Sequence, residues 1–402
     1  MALAATRSNP FQSFWMAGYE CTDQLNCFGN RVDFLPLTGH LQLLDDDYQG
    51  LQQYNLGTVR EGIRWSQIEK TPYQYDWSTV RAMLAAGQRH GIQQVWDLCH
   101  FGYPDDLTPL HPLFARRFAA LCRAFVQMYR EVRPEGELIV TPINEVSFMS
   151  WLGGDARGTS PYCVGQGWEV KYGLMRAYIE GVAAMRELDP GIRILTTEPL
   201  IHIVPPLNAT KAQKKQAREW NDNQYQSVDM LCGRLCPELG GRPEFFDIMG
   251  VNYYYNNQWE IHTHHRLPWV NEPYDPRWRP MHHLLRQAYE RYGRPVVVSE
   301  TSHPGLDRPH WMRMVAEESA EALRQGVPLW GVCLYPILDR PDWDFLDQEW
   351  HRSGLWDAVL RPNEPPLRVL HQPYAEALLA GQQLVADAMA PELVSSLALS
   401  LS

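Results

Sequence analysis

The chain contains no apolar run long enough to span a membrane, and its start, Met1 to Pro10, has no apolar signal core. These absences predict no membrane anchor and no secretion by that route, hence a cytoplasmic protein. Basic charge is also in short supply. With 36 Lys and Arg against 47 Asp and Glu, the net charge is -11. That balance argues against nucleic acid or an anionic membrane as partner. Cysteine forms no dense framework: the eight residues are scattered, and only Cys232 and Cys236 lie close together. No second Cys or His pair accompanies them, so free thiols in a reducing compartment are expected ahead of zinc. No other group has metal-ligand spacing, and no organic cofactor is implied. No Gly-rich turn follows the first strand, as a doubly wound nucleotide-binding sheet would need. Nor does any linker or low-complexity run divide the chain. A single domain over 1–402 is expected, with its core from about 14 to 389 and a flexible tail over 390–402.

What is present is alternation. Apolar strand-like runs at Phe14–Glu20, Leu56–Trp65, Gln93–Cys99 and Leu138–Asn144 are separated by helical patterns, and Ile192–Thr197, Phe246–Tyr253, Pro295–Ser299 and Leu329–Leu334 continue the series. Helices are predicted at Asp45–Asn55, from Asp76 to a stop at Gly91, and at Pro112–Val132 and Trp168–Leu188. Further helices are predicted around Ala212–Leu231 and at His282–Tyr292, His310–Gln325 and Pro373–Met389. Loops are expected at Asn256–Pro280 and from Leu334 to Pro366. Eight strand-then-helix units imply parallel strands with crossovers, closing into a (β/α)₈ TIM barrel.

In such a barrel the active site lies at the C-terminal strand ends. There the chain places Gln24, Arg60, His100, Asn144, Glu145, Asn252, Tyr253, Tyr254 and Glu300, followed by Asp339, Asp342 and Trp343. Glu145 and Glu300 each end a clean apolar run. A lone strand-end glutamate is ordinarily a solvated or capping residue, but two facing one cleft suit glycosidic bond cleavage, which needs one protonated and one ionised carboxyl. Arg60 is the candidate to keep one of them ionised, with pairing to Glu61 or Asp97 as the plainer alternative. Tyr254 is a candidate hydrogen-bond donor to the same carboxylate, and Asn144 a candidate for the sugar 2-hydroxyl. His100 reads equally well as a structural histidine. Fifteen tryptophans and nineteen tyrosines fit either core packing or flat walls for sugar C–H faces.

These residues stand in motifs. Thr141-Pro-Ile-Asn-Glu145 with Trp151-Leu-Gly is similar to Thr-Phe-Asn-Glu-Pro with a downstream Leu-Gly. Phe246-Asp-Ile-Met-Gly-Val-Asn-Tyr-Tyr254 is similar to Asp-Phe-Ile-Gly-Val-Asn-Tyr-Tyr, and Pro295-Val-Val-Val-Ser-Glu300 to Pro-Ile-Tyr-Ile-Thr-Glu. Tyr335-Pro-Ile-Leu-Asp-Arg-Pro-Asp-Trp343 is similar to Trp-Ser-Leu-Leu-Asp-Asn-Phe-Glu-Trp, and Arg60-Glu-Gly-Ile-Arg-Trp-Ser66 to Arg-Phe-Ser-Ile-Ser-Trp-Ser. Together, in order from about Phe14 to Asp357, they resemble the family 1 glycoside hydrolases, the β-glucosidase-like retaining enzymes.

The resemblance implies Glu145 as acid/base and Glu300 as nucleophile, flanked by Arg60 and Tyr254. It implies that Gln24, His100, Asn144, Asn252, Tyr335, Asp342 and Trp343 bind substrate. It implies hydrolysis of β-glucosides or β-galactosides by double displacement, with carboxyl groups about 5–5.5 Å apart, on a small carbohydrate or aryl or alkyl glycoside. Two alternatives share the site: a transglycosidase, and a silent barrel that only binds carbohydrate. The chain departs from the family pattern at Val146 (proline there), Thr301-Ser302 (Asn-Gly), Asp342 (Glu), Tyr335 (Trp) and Phe101-Gly102 (Trp-Asp). These departures bear on glycone preference more than on mechanism. The Ser, Lys and Tyr pattern of phospho-sugar members is not evident in Leu346–Gly354, which disfavours a 6-phospho-sugar.

Overall fold

A computed structural model describes residues 7–263, 265–270 and 275–399, with side chains after residue 390 left out. Its centre is one parallel sheet. The strands are β1 (Trp15–Gly18), β2 (Thr58–Gly62), β3 (Gln93–Cys99), β4 (Ile139–Ile143), β5 in two short pieces (Arg193–Ile194 and Glu198–Pro199), β6 (Met249–Asn252), β7 (Val296–Thr301) and β8 (Leu329–Leu334). The first piece of β5 pairs with β4 and the second with β6, while β1 pairs with both β2 and β8. A sheet whose two edges belong to one continuous strand is closed, so this is a (β/α)₈ barrel.

Closure explains why the strands read as unbroken apolar runs: both faces are covered. Met16, Val95, Ile139, Leu195, Ile248, Val297, Cys333 and Tyr335 fill the barrel interior as one buried cluster. Their outward neighbours, such as Val59, Trp96, Val140, Val296 and Val298, pack beneath the helices. Arg60 is in register with inward-facing Val95. Laterally paired residues of parallel strands share a face, so the guanidinium enters the barrel.

The helices follow their patterns. The helix Ser78–His90 ends at Gly91, whose φ of 62° is the left-handed stop that glycine supplies without strain. Several expectations need correction. The helix around Ala212–Leu231 is two, Lys211–Asn223 and Gln226–Leu231; Thr210 and Gln213 form a capping box at the start of the first. The segment expected as loop up to Pro366 contains an antiparallel hairpin, β9 (Trp356–Arg361) and β10 (Glu364–Leu370), which turns at Asn363 with φ 58°. A helix not read from the sequence, Val146–Gly154, starts directly after Glu145. It was hidden because its residues are apolar on nearly every side and give no helical stripe.

The final helix spans Gln372–Leu399, beyond the expected end at Met389. Residues 400–402 of the expected tail, and 264 and 271–274 of the expected Asn256–Pro280 loop, lie outside the described residues. Within that loop, Gln258–Glu260 pairs with His202–Val204 as a small separate sheet. All eight cysteines are free thiols. Among the described residues no helix is long and apolar enough to cross a membrane.

Candidate active site

The C-terminal strand ends converge on a buried polar network built around Arg60. Its Nη1 donates to Glu300 Oε1 at 3.0 Å and to the Ser299 carbonyl at 2.7 Å. Its Nη2 donates to Asp97 Oδ2 at 2.6 Å and to Asn144 Oδ1 at 3.1 Å. Arg60 thus pairs with Asp97, the plainer alternative, and with Glu300 as well. Burial by itself would raise the Asp97 carboxyl, but the Arg60 charge and the His100 hydrogen bond outweigh it and hold that carboxyl below its usual range. The His100 Nδ1 lies 2.8 Å from the same Asp97 oxygen, and its Nε2 faces the Tyr335 hydroxyl at 3.1 Å and Asn144 Nδ2 at 3.4 Å. The His100 and Tyr335 rings stack, and Arg60 lies over the Tyr335 ring.

The two glutamates have unlike surroundings. Glu300 accepts from Arg60 on one oxygen and from the Tyr254 hydroxyl at 2.8 Å on the other. Glu145 accepts from a neutral amide, Asn252 Nδ2, at 2.9 Å. Asn252 is in register with Glu300 across β6 and β7, and its Oδ1 accepts from Ser299 Oγ at 2.7 Å, so the amide is fixed with its donor towards Glu145. Burial first, and the nearby Glu300 charge second, push the Glu145 carboxyl well above its usual value, against the opposing Asn252 bond. Glu145 also has a left-handed backbone, φ 45° and ψ 55°, at the N-cap of the helix Val146–Gly154. A non-glycine residue held there is strained, a common feature of functional sites.

Of the residues expected from sequence, Arg60, His100, Asn144, Glu145, Asn252, Tyr254, Glu300 and Tyr335 are joined in this network. Trp343 reaches it through ring contacts, 5.2 Å from Phe101, which in turn packs edge-on against His100. Gln24 and Asp342 do not join it by hydrogen bonds, nor do Tyr253, bonded to Gln258, and Asp339, bonded to Arg352 and to the backbone of Gly354 and Ala358. Gln24 is buried, but its side-chain oxygen has no partner among the described residues. Asp342 turns to His351 Nε2 at 2.9 Å and to the backbone of Asp344 and Phe345.

Three further buried acids stand in or beside the network; Asp97 was read only as a partner of Arg60, and Glu20 and Glu198 were not read as site residues. Asp97 lies inside β3, where a charge between apolar neighbours reads as a salt-bridge residue. Glu20, just past β1, faces His100 Nε2 at 3.5 Å, accepts from the Tyr335 hydroxyl at 3.4 Å, and lies 3.4 Å from Arg340. It is a residue near β1 whose side chain reaches the network. Glu198 begins the second piece of β5; its Thr-Glu-Pro context was the signal that could have found it. Among the described residues Cys21, Asp97 and His100 also bring ligand-type atoms within 4.8 Å of one another. The Asp97 oxygen there is engaged by Arg60, and a second cation would meet that guanidinium.

The fold and the convergent strand ends define a (β/α)₈-barrel protein with two glutamates in one buried polar centre. The sequence matches no protein-family model and no curated protein. Solved structures do match. The family 1 β-glucosidase from Thermotoga maritima aligns with TM-score 0.70 and 15% identity over 94% of this chain and 99% of its own. The β-glucosidase from the same organism in complex with glucoimidazole gives 0.72 at 15% identity with the same coverage. A hyperthermophilic β-glucosidase mutant that forms a dodecamer in its crystal gives 0.70 at 14% identity, over 92% of this chain and 99% of its own. At such identity the likeness is one of fold.

Proposed function

We propose that the chain is a divergent family 1 glycoside hydrolase, a retaining β-glycosidase acting on small β-glucoside or β-galactoside-type substrates. The observation that carries this reading is the unequal setting of the two glutamates. Glu145 rests on a neutral amide and is pushed towards its protonated form, as a proton donor requires. Glu300 is gripped on both oxygens by Arg60 and Tyr254, which fixes its orientation as a nucleophile requires. The β-glucosidase neighbours, some bound to sugar-like inhibitors, support the same reading.

In the proposed reaction Glu300 attacks the anomeric carbon while Glu145 protonates the departing oxygen. Glu145 then takes a proton from the water that cleaves the glycosyl-enzyme. His100, Asn144 and Tyr335, joined to Arg60 and Glu300 in one network, are the side chains proposed to bind glycone hydroxyls. The test uses 2-deoxy-2-fluoro glycosyl donors followed by peptide mass spectrometry, with the anomeric configuration of the first product read by NMR. A sugar adduct on Glu300 and retained configuration are expected. An adduct on another residue, or an inverted product, would overturn the assignment.

A further inference from the structure

Glu198 is only 5% exposed and is not needed by the reaction as drawn. Its carboxylate Oε2 accepts the backbone N–H of Ser147 at 3.2 Å, inside the first turn of the helix Val146–Gly154. The residue before it, Thr197, offers its carbonyl to the backbone N–H of Glu145 at 2.9 Å. The dipeptide Thr197-Glu198 of β5 thus grips the chain on both sides of the left-handed turn that aims Glu145. The Ser147 N–H is one of the helix's orphan donors, and an acceptor carrying negative charge suits that end of the helix.

We infer that Glu198 is a positioning residue for the proton donor: it fixes the turn that presents Glu145. A lesser contribution of its charge, behind burial and Glu300, also raises the Glu145 carboxyl. The inference rests on the proposed role of Glu145. Glu145 is faced by Glu300 from β7, Glu198 from β5, His100 after β3, and Tyr254 after β6. Of these, Glu198 is the acid that also touches the backbone carrying Glu145. Glu198 itself is faced by Lys171 and Tyr178 from the helix Gly167–Leu188 and by the Ser227 hydroxyl. Lys171 donates to Gln226 Oε1 at 2.8 Å; burial raises the Glu198 carboxyl above its usual value, with the Ser147 bonds and the Lys171 charge opposing that rise.

The test compares Glu198→Gln, Glu198→Ala and Glu145→Gln in the full chain on two aryl glycosides of a glycone that the wild type hydrolyses. Phenyl leaving groups need a proton; 2,4-dinitrophenyl leaving groups do not. For Glu198→Gln, kcat/KM on the phenyl glycoside should fall about tenfold or more while the dinitrophenyl value changes less than about threefold. The basic limb of its pH profile should move down by about half a pH unit, because one negative charge facing Glu145 is gone. Glu198→Ala should lose more on the phenyl glycoside, because the Ser147 contact goes as well.

Equal losses on both donors with an unmoved pH limb, or no loss on either, would show a merely structural role. If Glu145→Gln itself lacks the leaving-group dependence, the role of Glu145 fails and this inference with it. If Glu145→Gln has it and Glu198→Gln does not, this inference alone is wrong.

Discussion

Arg60 and Glu300 sit 240 residues apart in sequence and 3.0 Å apart in space, both buried, with the other arm of the guanidinium on Asp97. The planar fork is what allows one side chain to hold two carboxylates and the Asn144 amide at fixed angles. Lysine offers a point charge and cannot reproduce that geometry. Arg60→Lys should therefore lower kcat/KM by about 10²–10³-fold, on the scale of losing a preorganised charge at a reacting group. Steady-state kinetics on an aryl glycoside, with circular dichroism to verify folding, measures it; wild-type rates in the variant would refute the role given to Arg60.

The role proposed for Glu145 carries a pH dependence. Its carboxyl is pushed well above the usual range, first by burial and then by the Glu300 charge. The proton donor exists below that raised value, so turnover of glycosides with poor leaving groups should fall as pH climbs through it. The linkage has the same sign. A carboxyl that holds its proton more tightly in the folded state contributes stability at low pH and loses it as pH rises through the folded value. Glu145→Gln should be more stable than the wild type at neutral pH, with the gap closing towards pH 4; a gap that is constant with pH in thermal melts would contradict this.

A second linkage lies away from the site. His40 is fully buried between Asp47 Oδ2 at 2.7 Å and Glu61 Oε1 at 3.0 Å. Burial opposes its charge, but the Glu61 and Asp47 carboxylates prevail and raise it to about 9. Its unfolded value is near 6.5, so the stabilisation is complete below about pH 6.5 and is lost as pH rises through about 9, by about 3 kcal/mol at most. Urea titrations across that window should show the decline in the wild type and a flat profile in His40→Gln. A decline of equal size in both would assign it to other groups.

Gly18 ends β1 beneath the site. A Cβ there would lie 2.2 Å from Cδ2 of Tyr335, whose ring also meets Arg60 and His100. Gly18→Ala should cost about 1–3 kcal/mol in overpacking and also reduce turnover, because the displaced ring bounds the polar network. Loss of stability with unchanged kcat would show that Tyr335 has no part in the site.

Much of the architecture was legible because a closed parallel barrel buries both faces of every strand. Continuous apolar runs such as Val296–Val298 and Ile139–Val140 mark strands wherever they occur, and a glutamate at the end of one marks the point where burial gives way to a cleft. Glu145, Glu300, Arg60, Asn144, Asn252 and Tyr254 were found in this way or by motif. The hairpin at Trp356–Leu370 was hidden by its prolines and exposed polar positions, and the short helix after Glu145 by its uniform apolarity.

The sequence by itself determined the alternation of strands and helices, the two strand-end glutamates and the arginine within β2, because these depend on local hydrophobic pattern. Which acids meet was decided only by the tertiary structure. Barrel closure aims side chains from separate strands at one point, and no local pattern encodes that direction. It brought Glu20 to His100, put Asp97 on the far arm of Arg60, and set Glu198 behind Glu145, against the backbone of Ser147.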